Sequence, residues 1–177
     1  MATPPDFTTG QVLTAAQMNA VGLWLVKSQT VGTGVSSVTV TGAFSTDYEA
    51  YKIIWDGGNG STGINLSMKL GSTATGYYGF ACYGVYTALT VFGANDNNAA
   101  SFTTIGGGDG SMMSVDIDVI DPYLAKPTRV RGAFQNATAF GTYVGRLADT
   151  SSYTAFTLTP NVGTLTGGTI RVYGYKK

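Results

Sequence analysis

The sequence predicts an all-β fold, an antiparallel β-sandwich or jelly roll preceded by an N-terminal arm with one short helix. Three observations lead to this prediction: short runs alternate apolar and polar residues, clusters rich in Gly and Asn separate the runs, and Thr, Gly and Tyr are abundant. Alternation with a period of two places the apolar side chains on one face of a strand. Roughly eight to ten such strands with turns between them are typical of a sandwich or a jelly roll.

Residues 1–30 break this pattern and are predicted to form the arm that carries the helix. Thr14 and Gln17 have the spacing of a capping box, which predicts that a helix runs from Ala15 to Leu25 with apolar residues on one face. A helix this short is marginally stable alone, so it packs either on its own β domain or on another chain. We predict that residues 1–30 form an attachment element and that residues 31–177 form the β-sandwich domain. The residues predicted to make the attachment are Phe7, Val12, Leu13, Met18, Val21, Trp24 and Leu25.

The predicted strands follow one another from about residue 35 onward, with turn clusters at their ends. The cluster from Asp56 to Gly60 supplies the positive φ angles that a hairpin needs. The long run from Tyr77 to Phe92 predicts two strands, or one strand bent near Gly84. The alternating apolar positions are, in chain order, Val38 and Val40; Tyr51, Ile53 and Trp55; Ile64, Leu66 and Met68; Val115, Ile117 and Val119; Val130 and Phe134; Phe156 and Leu158; Ile170 and Val172.

The composition argues against most kinds of catalytic and metal site. The chain has no histidine, a single glutamate and a single cysteine, whereas histidine is the commonest general base and a frequent zinc ligand near neutral pH. We therefore expect no enzymatic activity, no cofactor and no bound metal. The single cysteine, Cys82, is predicted to be a small buried side chain.

The low content of charged residues indicates which partners the chain is expected to bind. Charged residues make up 11% of the chain and the formal net charge is zero, whereas soluble domains average about 25% charged residues. Such a chain attracts nucleic acid and anionic membranes weakly, and no apolar run reaches the ~18 residues of a membrane-spanning helix. We predict that it binds no nucleic acid, inserts in no membrane, and has much of its surface covered by copies of itself or by other partners.

Asp116, Asp118 and Asp121 form the densest group of carboxylates. Such a group could serve as a glycosidase pair or as part of a calcium site. The alternation instead places Asp116 and Asp118 on the polar face of one strand, where a hairpin would bring them opposite Arg129 and Arg131. We favour this structural interpretation, and Asp121 is predicted to begin a turn.

The glycine-rich segment Gly106–Gly110 resembles a phosphate-binding loop only in part. A P-loop ends in Lys followed by Ser or Thr and leads into a helix, whereas this segment leads into a predicted strand. We predict that Asp109 and Gly110 form the tip of a hairpin.

Tyrosine side chains are the best binding candidates, because their flat, half-polar rings stack on sugars or become buried at interfaces. Tyrosine is also common within strands, so these residues are predicted either to bind a glycan or to lie in the core or in a subunit interface. The candidates are Tyr77, Tyr78, Tyr83, Tyr86, Tyr143, Tyr173 and Tyr175.

Three segments of the chain resemble a known family. Asp6–Asn19, Leu70–Tyr78 and the closing stretch Tyr153–Tyr175 are similar to segments of small structural proteins of tailed-bacteriophage virions, described as minor structural, tail-fibre or head-surface proteins. The resemblance implies a component of the virion surface, made in the host cytoplasm, that forms a homotrimer and contacts other proteins of the head or tail. It implies no catalytic residues. The chain has no coiled-coil heptads and no repetitive shaft, which favours a compact knob over a long fibre.

Three functions follow from these expectations. A surface knob or fibre-like protein anchored by residues 1–30 would contact a host glycan. A capsid decoration protein would clamp neighbouring capsid subunits and bind no host molecule. A polysaccharide depolymerase is the least favoured, because Glu49 is the only glutamate and few acids are available for a catalytic pair.

Overall fold

The computed structural model describes residues 10, 12, 14 and 22–175, and only the backbone of Phe134. The described part of the chain contains β-strands and no helix. None of its elements is therefore a helix long and apolar enough to cross a membrane. The strands are β1 (Leu23–Thr30), β2 (Val38–Thr41), β3 (Ala50–Asp56), β4 (Asn59–Gly60), β5 (Ile64–Leu70), β6 (Tyr77–Val85), β7 (Val91–Ala99), β8 (Phe102–Gly108), β9 (Met113–Ile120), β10 (Thr128–Gln135), β11 (Ala139–Leu147), β12 (Ala155–Pro160), β13 (Leu165–Thr166) and β14 (Thr169–Tyr175).

All the strand pairs in the described part are antiparallel, and they build a sandwich-like structure from two large sheets, while β4 and β13 pair as a separate two-stranded sheet. The long sheet has the order β1-β14-β3-β9-β10-β11-β6-β7, and the short sheet has the order β2-β12-β5-β8. The two sheets join where the end of β8 pairs with the start of β9. The all-β, antiparallel prediction is thus confirmed.

The apolar core lies between the two sheets and explains the alternation in the sequence. Every predicted inward-facing position from Val38 to Val172 is buried, with the exception of Phe134, whose side chain lies outside the described part. Large rings from both sheets meet in one cluster, including Trp55, Tyr77 and Phe156. Burying a side chain of this size contributes about 1.5–3 kcal/mol, so the alternation fixes which face of each strand turns inward.

The glycines of β8 let this strand pass from one sheet to the other. A Cβ atom on Gly106 would lie 2.5 Å from the carbonyl oxygen of Ser114, and one on Gly107 would lie 2.7 Å from that of Ile64. Glycine is therefore required at the junction, because any side chain would collide with backbone atoms of a neighbouring strand. The prediction of a hairpin at Asp109 is confirmed: its Oδ1 accepts hydrogen bonds from the backbone of Ser111 (2.7 Å) and Met112 (3.1 Å).

Two hairpins lengthen the long sheet beyond the edge of the short sheet. The β6–β7 hairpin confirms that the run from Tyr77 onward forms two strands. It pairs through β6 with β11 of the β10–β11 hairpin. Both faces of the sheet are solvent-exposed at this end, and many of its side chains are large and apolar.

The N-terminal prediction needs correction at one end of the proposed helix. Leu23 to Leu25 form the start of β1, which pairs with β14 from Leu23↔Tyr175 to Thr30↔Thr169. The cross-strand hydrogen bonds and packing outweigh the local helical pattern there. Residues 15–21 of the proposed helix lie outside the described part of the chain. Residues 23–30 thus lie in the long sheet, and the attachment role of residues 1–30 stays a prediction.

Candidate functional site on the outer face of the long sheet

The face of the long sheet that points away from the core carries most of the polar candidates. Asp118 of β9 lies opposite Arg131 of β10 and opposite Lys52 of β3. Its carboxylate accepts a hydrogen bond from Arg131 Nε at 3.2 Å and one from the Tyr175 hydroxyl at 2.8 Å. Burial and this bond to Asp118 raise the pKa of Tyr175 to about 12. The predicted cross-strand pairing is therefore confirmed for Asp118 and Arg131.

Asp116 differs from the prediction in its partner. It lies opposite Ala133 rather than an arginine and forms an ion pair with Lys52. Lys52 Nζ also lies 3.9 Å from Asp118, so one lysine bridges both carboxylates. Cross-strand pairs of this kind contribute about 0.2–1 kcal/mol each. Each carboxylate therefore has a cation as a cross-strand partner, which supports a structural role for the two aspartates.

Asp121 does more than begin a turn. Its φ is 64°, and its side chain is buried. The carboxylate pairs with Arg129 Nη2 at 2.7 Å and with Lys126 Nζ at 3.1 Å. Burial alone would raise the pKa of Asp121, but the hydrogen bonds from these two cations outweigh it and lower the pKa. The predicted pairing of Arg129 with Asp116 or Asp118 is corrected: it pairs with Asp121.

A buried polar cluster that the sequence did not reveal centres on Asp96 of β7. Its carboxylate accepts hydrogen bonds from the Tyr143 hydroxyl, from Thr103 N at 3.0 Å and from Thr103 Oγ1 at 2.6 Å. Burial and the bond to this carboxylate raise the pKa of Tyr143 far above its usual value. The cluster ties β7, β8 and β11 together. The signal in the sequence was weak, because Asp96 stands among three asparagines.

A groove of about 610 Å³ runs across β9, β10, β11 and β6 on the outer face. We call it the arginine groove, and it is lined by Tyr78, Phe80, Ile120, Val144, Arg129, Arg131 and Arg146. The Arg146 guanidinium lies over the Tyr78 ring, with Cζ 5.7 Å from the ring centre. A second groove of about 500 Å³ continues from it over Lys52, Asp116 and Asp118.

A second apolar surface lies at the far end of the β6–β7 and β10–β11 hairpins. We call it the tip patch and define it as Tyr86, Leu89, Val91 and Phe140. Val91 and Phe140 lie on either side of Gly84 on one face of the sheet, and all four side chains are exposed, Val91 at 73% and Phe140 at 49%. The rings of Tyr86 and Phe140 lie 6.5 Å apart. Exposed apolar groups that cluster in this way mark surfaces that contact a partner.

The tyrosine candidates divide into core and surface residues. Tyr77 and Tyr143 are buried and contact the Phe102 ring edge-on, so for these two the core alternative of the prediction holds and contact with a receptor is excluded. Tyr78, Tyr86 and Tyr175 are exposed, and Tyr83 and Tyr173 are half-buried. Cys82 is exposed as well, which corrects the prediction that it is buried, because it lies on the outer face of β6 opposite Thr142.

The predicted attachment residues are described only in part. Val12 and Leu25 are exposed. Trp24 is half-buried, and its Nε1 is buried without a hydrogen-bond partner. Phe7, Leu13, Met18 and Val21 lie outside the described residues. Within the described ranges, no three His, Cys, Asp or Glu side chains come together as a metal site would require.

Comparison with known proteins gives little further information. No protein family and no curated protein matches the sequence, so the resemblance to tailed-phage proteins stays a prediction. A structure of the infectious bursal disease virus Gt strain is 11% identical over 89% of this chain and 36% of that chain, with a TM-score of 0.22. The VP2 subviral particle of the same virus is 10% identical over 88% of this chain and 40% of that chain, with a TM-score of 0.13. This chain thus spans well under half of each, and a likeness this weak assigns neither fold family nor function.

Proposed function

We propose that this chain is a non-enzymatic structural protein of a virus particle. It forms a compact oligomeric knob on the particle surface, with residues 1–30 as its attachment element. Eight strands follow the orders β1-β14-β3-β9 and β2-β12-β5-β8 in the two sheets. This is a jelly-roll order, an architecture found in viral capsid and lectin domains. Together with the resemblance to phage structural proteins, it supports the proposal.

The tip patch is the observation that carries the proposal. No charged residue occurs between Tyr77 and Asn95 or between Gly132 and Gly145, the segments that surround the patch. Interface centres are depleted in charged residues and enriched in aromatic ones. A surface of this composition is therefore stabilised by burial against another protein, and a second copy of the chain is the simplest partner.

The two edges of the long sheet are consistent with separate surfaces for attachment and for self-association. β1 forms one edge of the sheet and β7 the other. The described strand β1 thus begins at the edge opposite the tip patch, so attachment to other virion proteins at that edge would not compete with self-association. In a capsid decoration protein, the alternative role, the tip patch would instead pack on neighbouring capsid subunits.

The oligomeric state of the full chain tests the proposal. We expect a homotrimer, or another cyclic oligomer, by multi-angle light scattering at about 10 μM. Val91→Glu should dissociate it, because the substitution buries an unpaired charge in the interface. Thr30→Glu is the matched control, an exposed site on the opposite edge strand, and should leave the oligomer intact. A wild-type monomer at this concentration contradicts the self-association on which the knob proposal rests, and copy number per particle separates a knob from a decoration protein.

A further inference from the structure

Arg146 is the arginine of the groove whose charge has no carboxylate partner among the described residues. Arg129 pairs with Asp121 and Arg131 pairs with Asp118. Among residues 22–175 no carboxylate forms an ion pair with Arg146. Its guanidinium is held over the Tyr78 ring instead, which leaves its N–H groups available to an anion that enters the groove.

The register of the strands places cations and apolar side chains side by side in the arginine groove. One row across the sheet contains Ile120, Arg129, Arg146 and Tyr78, since these residues are direct cross-strand partners. The adjoining row contains Arg131, Val144 and Phe80. Phe80 and Val144 are exposed. A ligand in the groove thus meets apolar surface and guanidinium groups at once.

The groove is also positive in a chain whose net charge is zero. Lys126 shares Asp121 with Arg129, so the cations of this region outnumber the carboxylates that pair with them. The volume of about 610 Å³ lies within the ~300–1,000 Å³ of typical small-molecule sites.

We propose that the arginine groove binds the uronic-acid residues of an acidic polysaccharide. The sugar carboxylate accepts hydrogen bonds from Arg146, and the apolar face of the pyranose ring packs on Tyr78 and Phe80. A guanidinium fork matches a planar carboxylate, and an aromatic face matches the C–H groups of a sugar ring. This inference rests on the surface-knob role proposed above, and it specifies which class of glycan the knob contacts.

The same features disfavour nucleic acid. A protein that follows a phosphate backbone neutralises several phosphates with unpaired cations, and Arg146 is the one arginine of the groove without an ion-pair partner in residues 22–175. Inorganic phosphate has no apolar face for Tyr78 and Phe80 to contact, so it should bind more weakly than a uronic acid.

The test is calorimetric titration of the full-length protein with trigalacturonate, with neutral maltotriose and inorganic phosphate as comparison ligands. We expect trigalacturonate to bind at about 1 mM or tighter, and each comparison ligand to bind at least about tenfold more weakly. Arg146→Ala should weaken trigalacturonate binding about tenfold or more, and Arg146→Lys should recover only part of it because the bidentate geometry is lost. Arg171→Ala is the matched control, an arginine of the same face paired with Asp56 at 2.6 Å, and should bind like the wild type.

Several results would overturn the inference: no binding of trigalacturonate, equal binding of maltotriose, tighter binding of phosphate, or equal losses in Arg146→Ala and Arg171→Ala. Light scattering on the same samples separates this inference from the proposed oligomer. Uronic-acid binding by a monomer contradicts only the self-association, whereas a stable oligomer without such binding contradicts only the groove assignment.

Discussion

Replacing Tyr143 by phenylalanine removes one of the three hydrogen bonds that the buried carboxylate of Asp96 accepts. A hydrogen bond to a charged group contributes about 1.5–3 kcal/mol. The ring keeps its edge-on contact with Phe102 at 6.1 Å, so no cavity adds to the cost, and Thr103 still donates two hydrogen bonds. We therefore expect Tyr143→Phe to lower the free energy of unfolding by about 2 kcal/mol and Tm by about 4–8 °C.

Gly79 provides an independent check on the same contact. A Cβ atom on Gly79 would lie 2.6 Å from Tyr143 Cζ and closer still to its hydroxyl oxygen, so Gly79→Ala must displace the ring and break the bond to Asp96. Phenylalanine at position 143 lacks that oxygen and relieves part of the clash. The cost of Gly79→Ala should thus be smaller in the Tyr143→Phe background, with a coupling of about 1 kcal/mol or more.

Urea-induced unfolding of the four proteins in this double-mutant cycle gives the measurement. Tyr78→Phe is the matched control, because the Tyr78 side chain is exposed on the outer face, and it should change stability by less than about 0.5 kcal/mol. If the two substitutions add, or if Tyr143→Phe costs no more than the control, the hydroxyl does not bind Asp96 as described.

Three further predictions concern pH, the arm and catalysis. The free energy of unfolding should fall as pH rises above about 10. Burial raises the pKa of Tyr77 to about 12 and also raises that of Tyr143, so the unfolded chain loses these protons at a lower pH than the folded chain does. A free energy of unfolding that stays constant between pH 9 and 11 in urea titrations would contradict this expectation. Deleting residues 2–21 should leave a folded domain that no longer joins particles, whereas deleting residues 2–30 should also destabilise it, because β1 no longer covers β14; circular dichroism and particle incorporation distinguish these outcomes. Asp116→Asn with Asp118→Asn should lower stability by about 0.5–2 kcal/mol through lost cross-strand pairs and leave polygalacturonate uncleaved, as in the wild type; release of reducing ends by the wild type alone would reveal catalysis.

The part of the fold that the sequence predicts is the part where one face of each strand is buried. From Val38 to Leu70 and again from Met113 to Ile120 the burial pattern alternates strictly within the strands. The order of apolar and polar residues follows this burial pattern. β7 (Val91–Ala99) shows no such alternation, since both of its faces are largely exposed. Periodicity therefore predicts neither where β7 ends nor which of its polar residues are buried.

The site was predictable only where cross-strand neighbours follow from a hairpin. Asp118 and Arg131 lie on consecutive strands, so period two alone places them on one face. The partner of Asp116 is Lys52, which comes from a strand far away in sequence, and the link from Asp96 to Tyr143 spans 47 positions. The predicted helix was wrong from Leu23 to Leu25 for the same reason. These residues pair with β14, which is distant in sequence, and the local spacing of residues does not predict such a pairing.

The edge strand β7 also bears on how copies of the chain can associate. Asn97 and Asn98 form a bulge opposite Tyr78, Asn98 has a φ of 55°, and its Oδ1 accepts a hydrogen bond from Gly76 N at 2.9 Å. A bulged edge bends away and offers no continuous ladder of free N–H and C=O groups. Copies that meet along the edge near Asn97 and Asn98 are therefore expected to join through side chains rather than by adding strand to strand.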